Sequence, residues 1–392
     1  MPWIIPENKL DADQRSFINN VDITKQNIFI KGFAGSGKSV LLAYVAKKVL
    51  SSRSKPSVVL IVFTQSLVTM YKTAFNEMGL NVDVRTYYSF LLSNNMFDYI
   101  LCDEVQDLPA RVLREMNKRG KHVIVAGDSN QSIYDCDPKY QEKTVEPSEI
   151  INFLLARAFE LTIIHRLSRS IIDAVQRFMP KMNIFSSKRD LTKGDTQIRL
   201  CEAPSDLEEV SYVMKKAKEA ISKGYTAAIL IPEQKMIVKF IDYALQDAEK
   251  DPWKIQLNKY GKPDMLKLNN YLLKCGLKIQ FVGSGIGNFS ESDDKITIMT
   301  MHSSKGLDFD QVFIPFANAS MSMEYWPDPK IAQTVFMVAM TRSRGDLYIT
   351  YHGYKSHYLD AFEKNCLKID ISDTTTQPKS SKSINIDNPW GF

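Results

Sequence analysis

The chain of 392 residues has few cysteines and no long apolar run. Its five cysteines are odd in number, scattered and without CxxC spacing, which argues against a disulfide framework and against a zinc site. No stretch approaches the roughly 18 apolar residues of a membrane span, and the N-terminus has no basic region followed by a long apolar segment. These absences predict a soluble protein of a reducing, cytoplasmic compartment with no membrane partner.

Internal repeats and a long Pro- or Ser-rich linker are missing as well, so any division into domains must come from the order of secondary-structure patterns. The net charge is only +5, a mild basic excess that permits nucleic-acid binding without requiring it. With 44% hydrophobic and 24% charged residues, the chain is expected to be globular, and its length suffices for two or three domains.

The stretch GFAGSGKS at residues 32–39 is typical of a phosphate-binding loop. A strand pattern at 27–30 leads into it, and helical periodicity follows it. Glycines let successive backbone N–H groups face one anion, the lysine reaches the β- and γ-phosphates, and the hydroxyl ligates Mg²⁺. A glycine-rich turn without a ligand is the alternative. The predicted contacts to ATP in this loop are Gly35, Ser36, Gly37, Lys38 and Ser39.

Two carboxylates follow the apolar run at 98–102, at the point where a predicted strand ends. One carboxylate at a strand tip can hold Mg²⁺, and the next can polarise a water for displacement of the γ-phosphoryl group. We therefore assign Asp103, with Ser39, to the metal and Glu104 to the catalytic base. A turn or a helix cap is the competing interpretation of such acidic residues.

Polar residues also follow the strand patterns at 58–63 and 122–126. Because ligands collect at the carboxyl ends of parallel strands, the end of the first run is a place for a second ligand. In the loop after the second run, Gln131 is a candidate sensor of the γ-phosphate, and Tyr134 offers a stacking face. A plain turn is the alternative there.

A second α/β unit is predicted from residue 159 onward, where a strand pattern ends in an arginine. Short apolar runs then alternate with helical patterns such as 207–222 and 235–248, which indicates a second largely parallel sheet with helices on both faces. The predicted organisation is an N-terminal lobe at 1–158, a C-terminal lobe at 159–366 and a flexible tail at 367–392.

Residues 250–278 are rich in lysine, with Trp253, Tyr260 and Tyr271 between the lysines. Cations for phosphates and rings for bases suit a single-strand groove, whereas a solvated helical face is the competing interpretation. We expect a small insertion in the C-terminal lobe here. The chain ends with DNPWGF at 387–392, an acidic and aromatic terminus that suits docking into a protein partner or is incidental.

Four motifs occur in one order along the chain, and together they are too specific for chance. They lie at 103–107, 127–134, 298–313 and 338–344. With the phosphate loop they resemble the superfamily 1 helicases of the UvrD/Rep type over roughly residues 10–352. The resemblance implies an α/β fold of two RecA-like lobes, each a mainly parallel sheet with helices on both faces, with ATP and Mg²⁺ in the cleft between them.

The resemblance also implies roles for single residues. Gln14 matches the glutamine that reads adenine, and His165 lies where a ring stacks on adenine. Gly306 and Asp308 match the glycine and the acidic residue near the ribose. The implied catalytic residues are Lys38, Glu104, Gln131, Arg166 and Arg342. The implied contacts to single-stranded DNA are Phe63, Thr64, Thr86, Tyr134, Thr300 and His302.

An arginine donated across a cleft contributes on the order of 10³ to 10⁵ in the rate of phosphoryl transfer. Because Arg166 and Arg342 are both expected on the second lobe, the site would be complete only when the lobes close. Nucleotide binding and hydrolysis would then close and open the cleft, and a strand lying across both lobes would be gripped alternately.

The sequence departs from the family pattern at several places. His165 stands where relatives usually have a tyrosine, and Asp308 replaces a glutamate. The acidic residues of 135–137 stand where relatives have an aromatic residue and an arginine that grip a base. The large subdomains that relatives insert after the motifs of Phe63 and Arg166 are missing. The resemblance therefore implies a minimal form whose unwinding of duplex is in question.

Three functions are consistent with these residues. The first is an ATP-dependent helicase or translocase on single-stranded DNA, of 3′-to-5′ polarity as the family implies, with RNA as the open alternative. The second is a nucleic-acid-stimulated ATPase subunit or switch of a larger repair, phage-defence or mobile-element complex. The third, a small-molecule kinase, leaves the motifs from Thr300 to Arg344 unexplained.

Overall fold

Two parallel β-sheets, formed by separate halves of the chain, organise the structure. This computed structural model describes residues 4–128, 132–133, 142–146, 148–182, 184, 188–189, 195–287, 294–319, 321 and 329–372. Among these residues, no helix combines the length and the apolar character that a membrane crossing requires.

The first sheet has six strands in the order β3-β2-β4-β5-β1-β6, and all of its pairings are parallel. Its strands are β1 Ile28–Gly32, β2 Val58–Val62, β3 Asp83–Thr86, β4 Phe97–Cys102, β5 Gly120–Gly127 and β6 Arg157–Leu161. The helices of this half are α1 Ala12–Asn20, α2 Lys38–Leu50, α3 Gln65–Glu77, α4 Tyr87–Leu91, α5 Ala110–Arg119 and α6 Ile150–Leu154.

The second sheet has seven strands in the order β11-β12-β10-β13-β14-β9-β15, again all parallel. A separate pair, β7 Ile163–Ile164 and β8 Lys188–Arg189, precedes it in the chain. The sheet's strands are β9 Ile198–Ala203, β10 Ala227–Ile231, β11 Ile279–Phe281, β12 Ile296–Thr300, β13 Phe309–Ile314, β14 Ser343–His352 and β15 Leu367–Asp370. Its helices are α7 Arg169–Phe178, α8 Asp206–Ser222, α9 Gln234–Asp247, α10 Met265–Lys274 and α11 Pro329–Met340.

Each sheet is buried on both faces, because successive side chains of its central strands enter different cores. In β1, Ile28 and Ile30 join one cluster of buried residues and Phe29 joins another. In β10, Ile229 and Leu230 divide in the same way. A strand covered on both faces reads as a continuous apolar run, which is why these strands were recognisable in the sequence.

Our prediction for the strand at 159 was wrong about the sheet to which it belongs. We expected it to open the second lobe, whereas the structure pairs Arg157–Leu161 with β1, as β6 at the edge of the first sheet. The edge of β1 is free to pair there, since β5 occupies its other side. The connection between the sheets therefore follows Leu161 rather than residue 158.

The predicted flexible tail begins too early. Leu367–Asp370 form β15, which pairs with β9 at the edge of the second sheet. Ile371 then enters the core with 0% of its surface exposed, and this burial holds the strand in place. The acidic and aromatic terminus at 387–392, proposed as a docking segment, lies outside the described residues.

A buried carboxylate ties α8 to the ends of β13 and β14. Glu209 Oε1 accepts hydrogen bonds from the Phe316 backbone N–H and the Thr350 hydroxyl, both at 2.6 Å. Its Oε2 lies 2.9 Å from His352 Nδ1, and His352 also faces Asp206 at 3.4 Å. The hydrogen bond to Glu209 raises the pKa of His352, against the lowering effect of burial.

This network predicts a pH-dependent stability. Because the folded-state pKa of His352 is raised above 6.5, the stabilisation is fully present below that pH and is lost as the pH rises through the folded value. His352→Gln keeps a donor for Glu209 but does not titrate. We expect the stability of the unaltered protein, measured by urea unfolding, to fall relative to that of the variant as the pH rises above about 6.5. Parallel pH profiles would contradict this role.

Candidate functional site

The phosphate loop forms as the sequence predicts, between β1 and α2. Lys38 Nζ donates to the carbonyl oxygens of Gly32 at 2.8 Å and Phe33 at 3.1 Å, so its charge lies within the loop. Gly37 caps α2 in a left-handed conformation with φ of 82°. The hydroxyl of Ser36 is buried and has no hydrogen-bond partner among the described residues. A loop with a central cation and an unused buried hydroxyl suits a phosphate group.

Ser39, the last residue of this loop, contacts Asp103. Ser39 Oγ donates to Asp103 Oδ2 at 2.6 Å, and the Tyr71 hydroxyl donates to the same oxygen at 2.7 Å. Burial, together with the neighbouring Glu104 carboxylate, raises the pKa of Asp103. A hydroxyl and a carboxylate oxygen beside a phosphate loop are hard ligands of the kind that Mg²⁺ prefers. The residues assigned to the metal thus fit that ion.

Glu104 has the backbone conformation of a strained residue. Its φ of 54° and ψ of 43° lie in the left-handed region, which costs a residue with a side chain about 1–2 kcal/mol. Its Oε2 accepts a hydrogen bond of 2.5 Å from Gln106 Nε2. Burial raises the pKa of Glu104, but the charges of Lys305, Lys38 and Arg342 and the hydrogen bond from Gln106 together lower it below the usual value. The side chain is therefore a carboxylate at neutral pH, able to accept a proton.

Two arginines from the second half of the chain line the same cavity as the phosphate loop. Arg342 is 2% exposed, and it donates from Nε to Val338 O at 2.9 Å and from Nη1 to Leu307 O at 3.2 Å. Burial and the charge of Arg166 lower the pKa of Arg342 to about 9, which leaves it charged at neutral pH. Arg166 Nη2 lies 2.7 Å from Asp308 Oδ2.

The structure brings most of the predicted nucleotide residues into one cavity between the sheets. Lys38, Glu104, Arg166 and Arg342 all line it, although they lie far apart in the sequence. Its lining also includes Gly35, Gly37, Ser39, Gly306 and Asp308. Gln131 and Tyr134 lie outside the described residues.

Gln14 and His165 lie beside the phosphate loop, each engaged by protein groups. Gln14 Nε2 donates to Ser36 O at 3.3 Å, and its Oε1 accepts from the Asp11 backbone N–H at 3.0 Å. His165 Nε2 lies 2.6 Å from Asp11 Oδ2, and its backbone N–H donates to Gly35 O at 2.9 Å. The Gln14 side chain and the His165 backbone thus contact the loop directly, while the His165 ring contacts Asp11.

Three of the predicted nucleic-acid residues have local structural roles. Thr64 caps α3, and Thr86 caps α4, each by accepting a backbone N–H bond. Thr300 Oγ1 lies 2.9 Å from Ser303 Oγ at the end of β12. Phe63 stacks on Tyr87 with 5.2 Å between ring centroids. Phe63 and Thr64 follow β2, while Thr86 and Thr300 are the last residues of β3 and β12, so all four lie at the carboxyl ends of strands.

His302 does not offer a cation to a phosphate. Burial and the nearby Lys305 lower its pKa to about 3, which makes its imidazole neutral at physiological pH. Any contact that it makes with a nucleic acid is therefore a hydrogen bond or a stacking contact rather than an ion pair.

Lys305 is a site residue that sequence reasoning missed. This lysine of the second half is only 3% exposed, and its Nζ lies 2.5 Å from Asp107 Oδ2 and 3.9 Å from Glu104 Oε2. Burial raises the pKa of Asp107 to about 6, although Lys305 opposes that rise. The sequence does show a lysine within the motif at 298–313. Its partner Asp107 lies in a distant motif, so spacing along the chain does not indicate that the two residues are in contact.

Comparison with known proteins places the chain in a family. A model described as the viral superfamily 1 RNA helicase core domain matches residues 28–232, more than half of the chain, and the UvrD-like helicase C-terminal domain matches residues 266–354. The chain belongs to the superfamily 1 helicases. A search of curated proteins gave no match.

Two solved structures resemble the chain. The structure of PRRSV helicase matches at 13% identity with a TM-score of 0.43, covering 86% of this chain and 54% of its own. The chain thus spans about half the length of that helicase. The C-terminal domain of a possible DNA helicase from Lactobacillus plantarum WCFS1 matches at 15% identity with a TM-score of 0.33, covering 53% of this chain and 98% of its own.

Packing between Gly35 and Arg166 predicts that position 35 of the loop tolerates no side chain. A Cβ on Gly35 would lie 2.3 Å from Arg166 Cβ, and φ is +77°. Gly79 has a φ of +67° with nothing within 4 Å, so Gly79→Ala is a matched control for backbone strain. We expect Gly35→Ala to weaken nucleotide binding by tenfold or more (about 1.4 kcal/mol), and Gly79→Ala to lower stability by about 1 kcal/mol with unchanged binding. Equal nucleotide affinities, measured with a fluorescent ATP analogue, would contradict the prediction.

Proposed function

We propose that the chain is an ATP-driven motor that translocates along single-stranded DNA with 3′-to-5′ polarity. The observation that carries the proposal is the cavity in which Lys38 and Glu104 of the first half face Arg166 and Arg342 across the cleft. Arg166 belongs with the second half because the adjacent Leu167 and Ile171 are packed in its core. A site built from both halves links hydrolysis to their relative movement.

The chemistry follows from where each group lies. The loop N–H groups and Lys38 hold the phosphates, and Glu104 accepts the proton of the attacking water. Arg342 and Arg166 offset the negative charge that develops on the transferred group. Mg²⁺ held by Ser39 and Asp103 would supply further neutralisation of phosphate charge when bound.

Lys305 links the contact between the two halves to the position of Glu104, the proposed catalytic base. Its partner Asp107 ends the short helical turn Val105–Asp107, and Gln106 of the same turn donates to Glu104. The second half therefore braces the turn that orients Glu104. When the halves separate, this brace is lost, and hydrolysis should slow.

A second function competes with the first. The connection between β2 and β3 is a single helix, α3, so no inserted domain is available there to engage duplex. This favours a nucleic-acid-stimulated ATPase that acts as part of a larger assembly. Displacement of a strand from a duplex with a 3′ overhang, by the protein alone, would support a helicase; stimulation of ATPase without displacement would support the alternative.

The choice between DNA and RNA needs its own measurement. One matched family model describes RNA helicases, whereas the description of the other, UvrD-like, names no nucleic acid. ATPase stimulated by single-stranded DNA but not by RNA of matched sequence is the result we expect. Stimulation by RNA alone would overturn the DNA assignment and leave the motor intact.

Arg342 is predicted to act in catalysis rather than in binding. Arg342→Ala should lower nucleic-acid-stimulated ATPase on the order of 10³-fold, because a cross-cleft arginine stabilises the transition state. Nucleotide affinity should change little, since the phosphate loop is untouched. Arg177→Ala, an exposed arginine of α7, is the control. Retention of the full stimulated rate by Arg342→Ala would sink the cross-cleft mechanism.

Lys305 is predicted to position the base. Lys305→Met should reduce the maximal rate on the order of 10²-fold, the scale expected when a reacting group is misplaced by about 1 Å. The KM for ATP should stay within a few-fold. The exposed Lys295 of the same half provides the control variant Lys295→Met. A normal maximal rate in Lys305→Met would show that the buried ion pair has no part in catalysis.

A further inference from the structure

The basic excess of the chain is concentrated in one surface segment. Residues 250–278 contain seven lysines and two aspartates, a difference of +5, which equals the net charge of all 392 residues. The remainder of the chain is therefore neutral overall. All seven of these lysines are exposed.

Most of these lysines have no anionic partner among the residues that the structure describes. Lys267 lies 3.7 Å from Asp264, and Lys278 lies 2.5 Å from Asp294. Within the described part of the chain, the other five lack a carboxylate within ion-pair distance. They are Lys250, Lys254, Lys259, Lys262 and Lys274. A positive surface of this kind attracts a polyanion.

A tight hairpin, Leu257–Pro263, presents part of this charge, and we name it the basic hairpin. Asn258 Oδ1 accepts hydrogen bonds from the backbone N–H groups of Tyr260 at 2.8 Å and Lys262 at 3.2 Å. Gly261 supplies the left-handed turn with φ of 72°. The tip is thus held in one shape, and binding to it would order little additional backbone.

The tip of the basic hairpin combines an exposed ring with two cations. Tyr260 is 73% exposed, and Lys259 Nζ lies 5.0 Å from its ring centroid. Lys262 follows two residues later. An exposed aromatic ring flanked by lysines is the combination that single-stranded nucleic acids use, with bases stacked on the ring and phosphates on the cations. A paired base inside a duplex would not offer its face to the ring.

The topology places the basic hairpin near the carboxyl ends of the strands of the second sheet, where the predicted nucleic-acid residue Thr300 also lies. Asn269 of α10 bonds both the backbone N–H and the carbonyl of Phe281, at the carboxyl end of β11. The hairpin immediately precedes α10, and Asp264 N–H donates to Gln256 O at their junction. Since β11 and β12 are parallel neighbours, the start of α10 lies at the same edge as Thr300.

We propose that the basic hairpin is a second contact for single-stranded nucleic acid, in which a base stacks on Tyr260 and phosphates pair with Lys259 and Lys262. It would extend the path of the strand beyond the motif at 298–313. This inference rests on the proposed function, because it assumes that the chain binds a single strand. It adds a contact that the motifs of the cleft do not include.

The test is a salt titration of binding to a fluorescent 20-nucleotide oligothymidylate, together with its RNA counterpart. Removal of two phosphate contacts in Lys259→Ala/Lys262→Ala should reduce the slope of log affinity against log salt by about 1.4. The control is Lys218→Ala/Lys223→Ala. These two exposed lysines lie towards the end of α8, which leads into the start of β10 at the opposite edge. The control should leave the slope unchanged.

The stacking contact is tested separately by two substitutions of one residue. Tyr260→Ala should weaken binding by roughly 5- to 150-fold, the effect of losing one stacked base. Tyr260→Phe keeps the ring and should bind like the unaltered protein. A general loss of structure would not distinguish these two variants in this way.

The outcomes separate this inference from the proposed function. If the unaltered protein binds the strand and all hairpin variants bind with the same affinity and slope, the inference is overturned and the proposed function stands. In that case a protein partner becomes the better occupant for the segment, whose Leu266 and Leu273 are also exposed. If the unaltered protein binds neither oligonucleotide, both the inference and the proposed function fail.

Discussion

Three buried carboxylates just after the carboxyl end of β4 impose the main constraint on the structure. Asp103, Glu104 and Asp107 are 1%, 7% and 0% exposed, and burial opposes the charge of all three. Desolvated carboxylates are tolerated only when cations and hydrogen bonds compensate them. Lys38 supplies one cation from the same half, while Lys305 and Arg342 come from the other. The acidic motif thus depends electrostatically on the approach of the second half.

In the proposed mechanism, this dependence links nucleotide binding to movement of the two halves. The first half by itself contains the loop, the proposed metal ligands Ser39 and Asp103, and the proposed base Glu104. The second half adds the positive charges of Arg166 and Arg342 to the cavity, and Lys305 contacts the turn that bonds Glu104. We propose that a nucleotide bound between the halves would stabilise their contact, and that loss of its terminal phosphate would weaken that contact. A strand held by both halves would experience the resulting movement.

Local chemistry made the nucleotide half of the site predictable from sequence. The loop at 32–39 and the acids after β4 are set by neighbours a few residues away, so their local positions could be predicted from their spacing, while their roles stay predictions. Long-range pairing was not predictable. The sequence placed β6 in the wrong sheet and called β15 a tail, because each is a short edge strand whose position depends on which neighbour has a free edge. The partner of Lys305 was hidden for the same reason, since only the fold brings it to Asp107.

The central claim is that nucleotide brings the two halves together, and a distance between them tests it most directly. Spin labels introduced through unnatural amino acids at Ser54 and Lys223 would lie on exposed loops of the first and second half. Double electron–electron resonance should show a shorter and narrower distance distribution when Mg²⁺ and a non-hydrolysable ATP analogue are added with a single strand. The same addition should have no effect in Lys38→Ala. An unchanged distribution in a protein that hydrolyses ATP would contradict the account.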